Sequence, residues 1–354
     1  ELHELMSNSY ARQSQWANSV ASLKQARALD DKAESHALQI GHMYNAGLKA
    51  AQIVQEIRAL ASRHPNSRER WISYYYGGYA YSREGNPSQA ARYIAAALPH
   101  AASAHNLANL YVGWLLDGSI SARNTAQGTL TTAQTNLDTA RKDEAAKRDT
   151  FNKEKDPNKK KTAQTALTTA TKLVQQRSTE LQTAQRNLTT KQNAVNQLAA
   201  EADRTLNAAL TPARQALNAA LATQQSDNTR ETDLLALHYA RARALYIDRL
   251  KDDAKGLSLA RVAVRETHLY STYQETLIKD LLTRQPDGGQ FRNDVIMLMK
   301  ERRDHITVNY YRDYISNWAT AMRGDKTQKG KAQYIKGLLT QENQKPEVSA
   351  YLKY

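Results

Sequence analysis

The chain has no cysteine among its 354 residues. That excludes disulfides, thiolate metal sites and cysteine nucleophiles, and it fits a cytosolic and a periplasmic setting equally well. Prolines number only seven, and no hairpin dipeptide is flanked by alternating apolar residues, so no strand is predicted. No stretch approaches the ~20 consecutive apolar residues that a membrane-crossing helix needs. Catalytic signatures are missing as well. There is no GxSxG, no glycine-rich phosphate loop and no carboxylate pair in an apolar setting, so an enzyme is not expected. The histidines offer no HExxH, and the pairs His36/His42 and His100/His105 are spaced so that neither puts two imidazoles on one helical face. No metal and no cofactor are expected.

What fills the sequence is alanine, leucine, glutamine, lysine and arginine, which reads as an all-α chain. The net charge is +14, from 49 Lys+Arg against 35 Asp+Glu. Such a surplus suits an anionic partner: a phospholipid surface, an acidic glycan or another anionic polymer, or nucleic acid. The cations are spread along the chain, so a generally basic surface explains them equally well.

Within "YYYGGYAYSREGNPSQAARYIAAAL", Tyr74 to Leu98, the spacing has a packing logic. Gly78 and Ala90 are small where two antiparallel helices would approach closely. Gly85 suits a left-handed helix cap, and Tyr81, Ile94 and Leu98 would fill the seam between the helices. The spacing recurs upstream in Gly41, Tyr44 and Gly47, one residue short, and downstream in Ala108, Tyr111 and a closing Gly118. "QWANSVASLKQARALD", Gln15 to Asp30, supplies a second helix with Leu23 and Ala26 on its packing face. His64-Pro65-Asn66 and Pro99-His100 fall where one helix pair would turn to the next.

This pattern resembles the tetratricopeptide repeat (TPR) family over roughly residues 1–118. The resemblance implies a TPR-like α-solenoid with a concave groove. The groove offsets would make Tyr75, Tyr79, Ser82 and Arg83 partner-binding residues, with His42 and Leu38 in the preceding repeat and His105 and Asn109 in the following one. Tyr81 would be core, and Trp71, Tyr74 and Tyr76 would pack on neighbouring helices.

From Leu130 a different period begins. Leu130, Ala133, Leu137 and Ala140 step by three and four. After a break at "NKEKDPNKKK", Asn152 to Lys161, a second series runs Ala163, Leu167, Ala170, Val174, on through Leu181, Ala184, Leu188 and Val195 to Ala202. This is a coiled-coil signal, and two such helices around a breaker predict a long antiparallel hairpin. An arm from about Ala122 to Asn152 would be roughly 45 Å long. Thr211-Pro212 is expected to start a new helix, and Gln224 to Asp233 to form the exit linker, capped at Ser226 or Asp227. The tip, Arg141 to Lys161, holds nine Lys/Arg against five Asp/Glu. Its candidate contacts are Arg141, Lys142, Lys147, Arg148, Lys159, Lys160 and Lys161.

Further helix pairs are predicted for Leu234 to Val264, turning near Lys251-Asp252-Asp253, and for Tyr310 to Leu339, closing at Gly324. Pro286-Asp287-Gly288-Gly289 reads as a turn. The predicted division is helical repeats over 1–118, a coiled-coil insertion with its returning helices over 119–225, and helical repeats or a bundle over 226–354.

The expectation is a non-enzymatic scaffold or adaptor that binds a protein or peptide in the groove and a second partner through the hairpin. A bacterial periplasmic or envelope setting, in assembly or secretion, is expected, with the cytoplasm as the alternative. The competing expectation is a basic protein that binds nucleic acid or an anionic polymer such as a glycan. Nucleic acid is disfavoured because the tip offers one aromatic, Phe151, and no stacking pattern.

Overall fold

The computed structural model describes residues 1–223, 228–269, 271–303, 319–320 and 322–343. Among them the regular structure is entirely helical. The anticipated cap at Ser226 or Asp227, and residues 310–318 of the last predicted helix pair, lie outside the described residues. The chain divides into two compact units, residues 1–115 with 202–354, and residues 116–201.

The first unit opens with α1 (Leu2–Arg12), α2 (Trp16–Leu29), α3 (Ala33–Asn45) and α4 (Ala50–Arg63), then short α5 (Glu69–Ile72), α6 (Tyr74–Arg83), α7 (Pro87–Ile94) and short α8 (Leu98–Ala101). Successive helices pack on one another, and α6 also packs on α3 and α4. The turn between α6 and α7 forms as its residues demand. Gly85 sits at φ +77°, and the Asn86 N–H returns to the Tyr81 carbonyl at 3.0 Å, a left-handed cap that closes α6. Asn86 then caps α7 by accepting the Gln89 N–H at 3.1 Å, with Pro87 at the first helical position. An added Cβ at Gly78 would stand 2.7 Å from Trp114 and 2.9 Å from Ile94. This is a close approach that only glycine permits. Ala90, Ile94, Ala97 and Leu98 are fully buried, whereas Tyr81 is only half-buried, lying against the core formed by α2, α3, α4 and α6.

The N-terminal helices are also tied by polar groups. Ser19 of α2 hydrogen-bonds the Ser7 hydroxyl of α1 and Nδ1 of His42 on α3, both at 2.7 Å. His42 is buried, and burial lowers its pKa below the ordinary imidazole value. The groove position expected for it is therefore corrected: its ring is a satisfied interior group joining three helices.

The passage into the next helix also differs from expectation. The chain reverses at His105 and Asn106, both in the left-handed region at φ 47° and 59°, and α9 (Leu107–Lys153) begins only afterwards. His105 is thus a turn residue rather than part of a repeat helix. Gly118 closes nothing, because α9 runs through it unbroken. With Leu107, Tyr111, Val112, Leu115 and Leu116 buried on the preceding turns, the packed helix tolerates the roughly 1 kcal/mol that glycine costs.

The second unit, residues 116–201, is a hairpin made by most of α9 and most of α10 (Pro157–Ala222), joined by Glu154-Lys155-Asp156. Asp156 caps α10 by accepting the Asn158 and Lys159 N–H groups at 2.8 and 3.2 Å, with Pro157 at the first position. The Thr171 hydroxyl donates to Glu144 at 3.0 Å. Arg123, Asn124 and Gln127 share a cleft with Leu188, Gln192 and Asn193. The two helices therefore pair antiparallel. Leu137, Ala140, Ala170, Ala184 and Val195 are buried along the seam, so the step of three and four marks the packed face. Off the seam, threonines satisfy themselves by donating to the carbonyl four residues back, as Thr131, Thr135 and Thr139 do at 2.9–3.1 Å. This keeps a threonine-rich surface helical.

Pro212 does not start a helix, since α10 passes through it to Ala222. An interior proline costs about 3 kcal/mol. Here Leu206, Ala209, Leu210, Ala213 and Leu217 are buried on either side of it, which outweighs that loss. Residues 202–222 belong to the first unit.

The rest of the first unit comprises α11 (Asn228–Tyr239), continued as a π-helical segment over Ala240–Leu250, then α12 (Asp253–Glu266), α13 (Thr272–Thr283), α14 (Gly289–Arg303) and α15 (Lys329–Asn343). The turn predicted at Lys251 forms without glycine, with Lys251 itself left-handed at φ 59°. Gly256 lets α12 approach the π-helical segment; an added Cβ would lie 2.4 Å from Ile247. Buried carboxylates fix these helices. Asp280 accepts from Arg243 and Arg284 at 2.7 Å, and Asp294 from Arg261 at 2.7 Å. Asp233 of α11 accepts from Arg68 at 2.9 Å and from the Ser103 N–H at 3.0 Å, joining chain segments far apart in sequence.

Candidate functional site

Helix α6 presents Tyr75, Tyr79, Ser82 and Arg83 at steps of four, three and one, which places them on one stripe. Tyr75 stacks on His105 with ring centroids 4.1 Å apart and an interplanar angle of 21°. Tyr79 lies 4.6 Å from Tyr75, and meets Trp114 edge to face at 5.1 Å and Tyr44 at 6.2 Å. Tyr75, Tyr79 and Trp114 are all half-buried, and His105 is exposed. The result is a continuous aromatic surface with contributions from α3, α6, the turn before α9, and α9 itself. Aromatic pairs of this kind contribute about 0.5–1.5 kcal/mol each beyond their buried area, so the rings hold one another in place.

Burial is the main cause that raises the phenol pKa of Tyr75 and Tyr76, with neighbouring Tyr79 adding to it at Tyr75. Both phenols are neutral hydrogen-bond donors at physiological pH. The carboxamide oxygen of Asn109 is buried and has no hydrogen-bond partner among the described residues. An acceptor in that state costs on the order of 1–3 kcal/mol.

The remaining candidates separate. Ser82 is half-buried. Arg83 is exposed, but it donates to the carbonyls of Tyr44 and Leu48 at 2.9 and 2.6 Å, and its guanidinium lies 4.7 Å from the Tyr44 ring centroid. It clamps the turn after α3. Leu38 is 40% exposed. His42 is interior, as described above. Trp71 stacks on His100 at 4.3 Å and Tyr74 on Tyr93 at 4.7 Å, so these rings pack helix on helix. Trp114 is the member that the groove offsets do not reveal, because it lies between Tyr111 and Gly118 at none of the groove positions and reaches Tyr79 from α9.

On the hairpin, Arg141, Lys142, Lys147, Arg148, Lys159, Lys160 and Lys161 are all exposed. Arg148 pairs with Glu144 at 2.7 Å and Lys147 with Asp143 at 3.8 Å, and Lys160 lies 5.3 Å from the Phe151 ring centroid. Exposed pairs of this kind contribute little to stability. The hairpin also carries an open cleft of about 470 Å³, lined by Arg123, Asn124, Gln127, Leu188, Thr189, Gln192 and Asn193. No acid or base that could exchange a proton near neutral pH lines it.

These features define an all-α protein with a long helical hairpin and an aromatic surface. No protein-family model matches the chain, and neither a curated protein nor a solved structure does. Among the described residues no helix is long and apolar enough to cross a membrane.

Proposed function

We propose that the protein is a non-enzymatic scaffold with a TPR-like body, which binds an extended protein or peptide segment across the Tyr75–Tyr79 surface while the coiled-coil hairpin engages a second partner. One observation carries the reading: a self-supporting row of half-buried rings, Tyr44, Tyr75, Tyr79 and Trp114 with the exposed His105. Rigid aromatic faces supply contact area with little loss of side-chain freedom, which suits an extended segment laid across them. The close approach at Gly78, the left-handed cap at Gly85 and the burial of Ala90 support the TPR-like body. An envelope or periplasmic role in bacterial assembly or secretion belongs to the same proposal.

Selection of a random peptide library on the full chain tests this. Enriched peptides should bind the Tyr75→Ala/Tyr79→Ala variant at least tenfold more weakly, with shallow salt dependence. Failure to enrich any sequence, or equal binding by the variant, removes the reading.

A second reading, binding of an anionic polymer or membrane surface, has its own support. Arg141, Lys142, Lys155, Lys159 and Lys161 are exposed and make no ion pair among the described residues. Affinity for heparin or anionic vesicles that collapses steeply with salt, and is lost on changing Lys159, Lys160 and Lys161 to Gln, would favour it.

A further inference from the structure

Two neighbouring side chains, Asp31 and His36, meet the more distant His64 where α2, α3 and α4 come together. Asp31 precedes α3, His36 lies in its first turns, and His64 follows the last residue of α4. One carboxylate oxygen of Asp31 and one nitrogen from each imidazole all lie within 4.8 Å of one another. His36 is fully buried, with 0% of its side chain exposed; His64 and Asp31 are 22% and 28% exposed.

The hydrogen bonding distinguishes this group from an ordinary polar cluster. His36 Nε2 is held by Glu56 at 3.0 Å, so this nitrogen carries the proton and donates it to the carboxylate. Nδ1 of the same ring is then a bare lone pair, and it is buried without a hydrogen-bond partner. His64 Nε2 is likewise buried without a hydrogen-bond partner, at 3.6 Å from Asp31 Oδ2. Two such nitrogens in one interior region each cost on the order of 1–3 kcal/mol. A carboxylate that fixes one imidazole nitrogen while the other faces an acceptor-lined space is the arrangement that orients histidines toward a metal ion.

We propose that Asp31, His36 and His64 form a binding site for a divalent transition metal, of which Zn²⁺ is the best match, with Glu56 orienting His36. Two imidazoles and a carboxylate are a donor set that zinc accepts at about 2.0–2.2 Å, leaving a fourth position for water. Tetrahedral donors at that range sit roughly 3.4 Å apart, so side chains now within 4.8 Å close by at most about 1.4 Å on binding. The facing charges are Arg27, which pairs with Asp31 at 3.0 Å and Glu56 at 3.4 Å, and Arg63, which pairs with Asp31 at 3.1 Å. The two guanidiniums balance the two carboxylates. Arg63 is 57% exposed and can release Asp31 into water, whereas Arg27 keeps its hold on the other carboxylate oxygen. The site does not depend on the scaffold reading.

The test uses the tag-free full chain, stripped with chelator and titrated with Co²⁺ and then Zn²⁺. One equivalent of Co²⁺ should give visible absorption of tetrahedral intensity that Zn²⁺ bleaches, and Zn²⁺ should raise the melting temperature by several degrees. His64→Gln and Asp31→Asn should each weaken binding at least tenfold, while His3→Gln leaves it unchanged. His64 is partly exposed, so its variant folds, and circular dichroism checks this. An intact chain that gives no stoichiometric signal overturns the proposal. So does a signal that His64→Gln and Asp31→Asn leave at the same stoichiometry and affinity.

Discussion

Two deletions separate the hairpin from the body. Asn124 and Asn193 line the same cleft, so a short glycine-containing turn can join them in place of residues 125–192. This shortens the hairpin and leaves every residue of the first unit present. The second deletion replaces residues 124–223, nearly all of the span 119–225 predicted as the insertion. It removes Leu206, Leu210 and Leu217, which are 0%, 2% and 8% exposed. At about 1.5–3 kcal/mol for each buried leucine, those three alone represent about 5–9 kcal/mol. The Arg214 guanidinium, which bonds Glu266 twice at 2.8 and 2.9 Å, is lost with them. A domain's whole stability is typically about 5–15 kcal/mol. The shorter deletion should therefore melt cooperatively in circular dichroism and urea titration, and the longer one should show no cooperative transition. Equal, cooperative unfolding of both, or failure of the shorter one to fold, would refute the assignment of residues 202–222 to the body.

Other perturbations follow from individual contacts. Gly85→Ala, at φ +77°, should destabilise by about 1–2 kcal/mol in urea titration, and Gly85→Asn by less. Asp280→Ala leaves Arg243 and Arg284 facing a buried vacancy; with those arginines 21% and 34% exposed, the cost should sit near the low end for a broken buried pair, about 3 kcal/mol. His42 and His100 have pKa values lowered by burial, so the unfolded chain binds more protons than the folded one. Their contribution to stability is complete above about pH 6.5, the unfolded imidazole value, and is lost as pH falls through it. Urea midpoints should drop between pH 7 and 5, and His42→Asn should flatten that slope even as it lowers stability at pH 7.

Much of the helical architecture can be read locally in the sequence. Gly85, Asn86 and Pro87 specify a turn through their own backbone preferences, and the alanine and leucine steps from Leu130 specify a packed face. The features that escape the sequence depend on partners remote along the chain. Gly118 and Pro212 look like helix ends in isolation, yet the buried residues of the turns before Gly118, and buried leucines on either side of Pro212, carry the helix through both. The offset that would put His42 in a groove says nothing of Ser7 and Ser19, which draw the ring inward. Trp114 reaches Tyr79 only through the course of α9. Asp31 and His36 are five residues apart and not on one helical face, and His64 joins them only through the packing of α4 on α3.

In the proposed scaffold, Tyr75 and Tyr79 form the recognition surface for an extended peptide. The most direct measurement is the affinity of a selected peptide for the full chain and for the Tyr75→Ala/Tyr79→Ala variant, by calorimetry at low and moderate salt. A loss of at least tenfold in the variant, with little change between salts, is the predicted result. Equal affinity for both proteins, or binding that vanishes with salt in both, would contradict it.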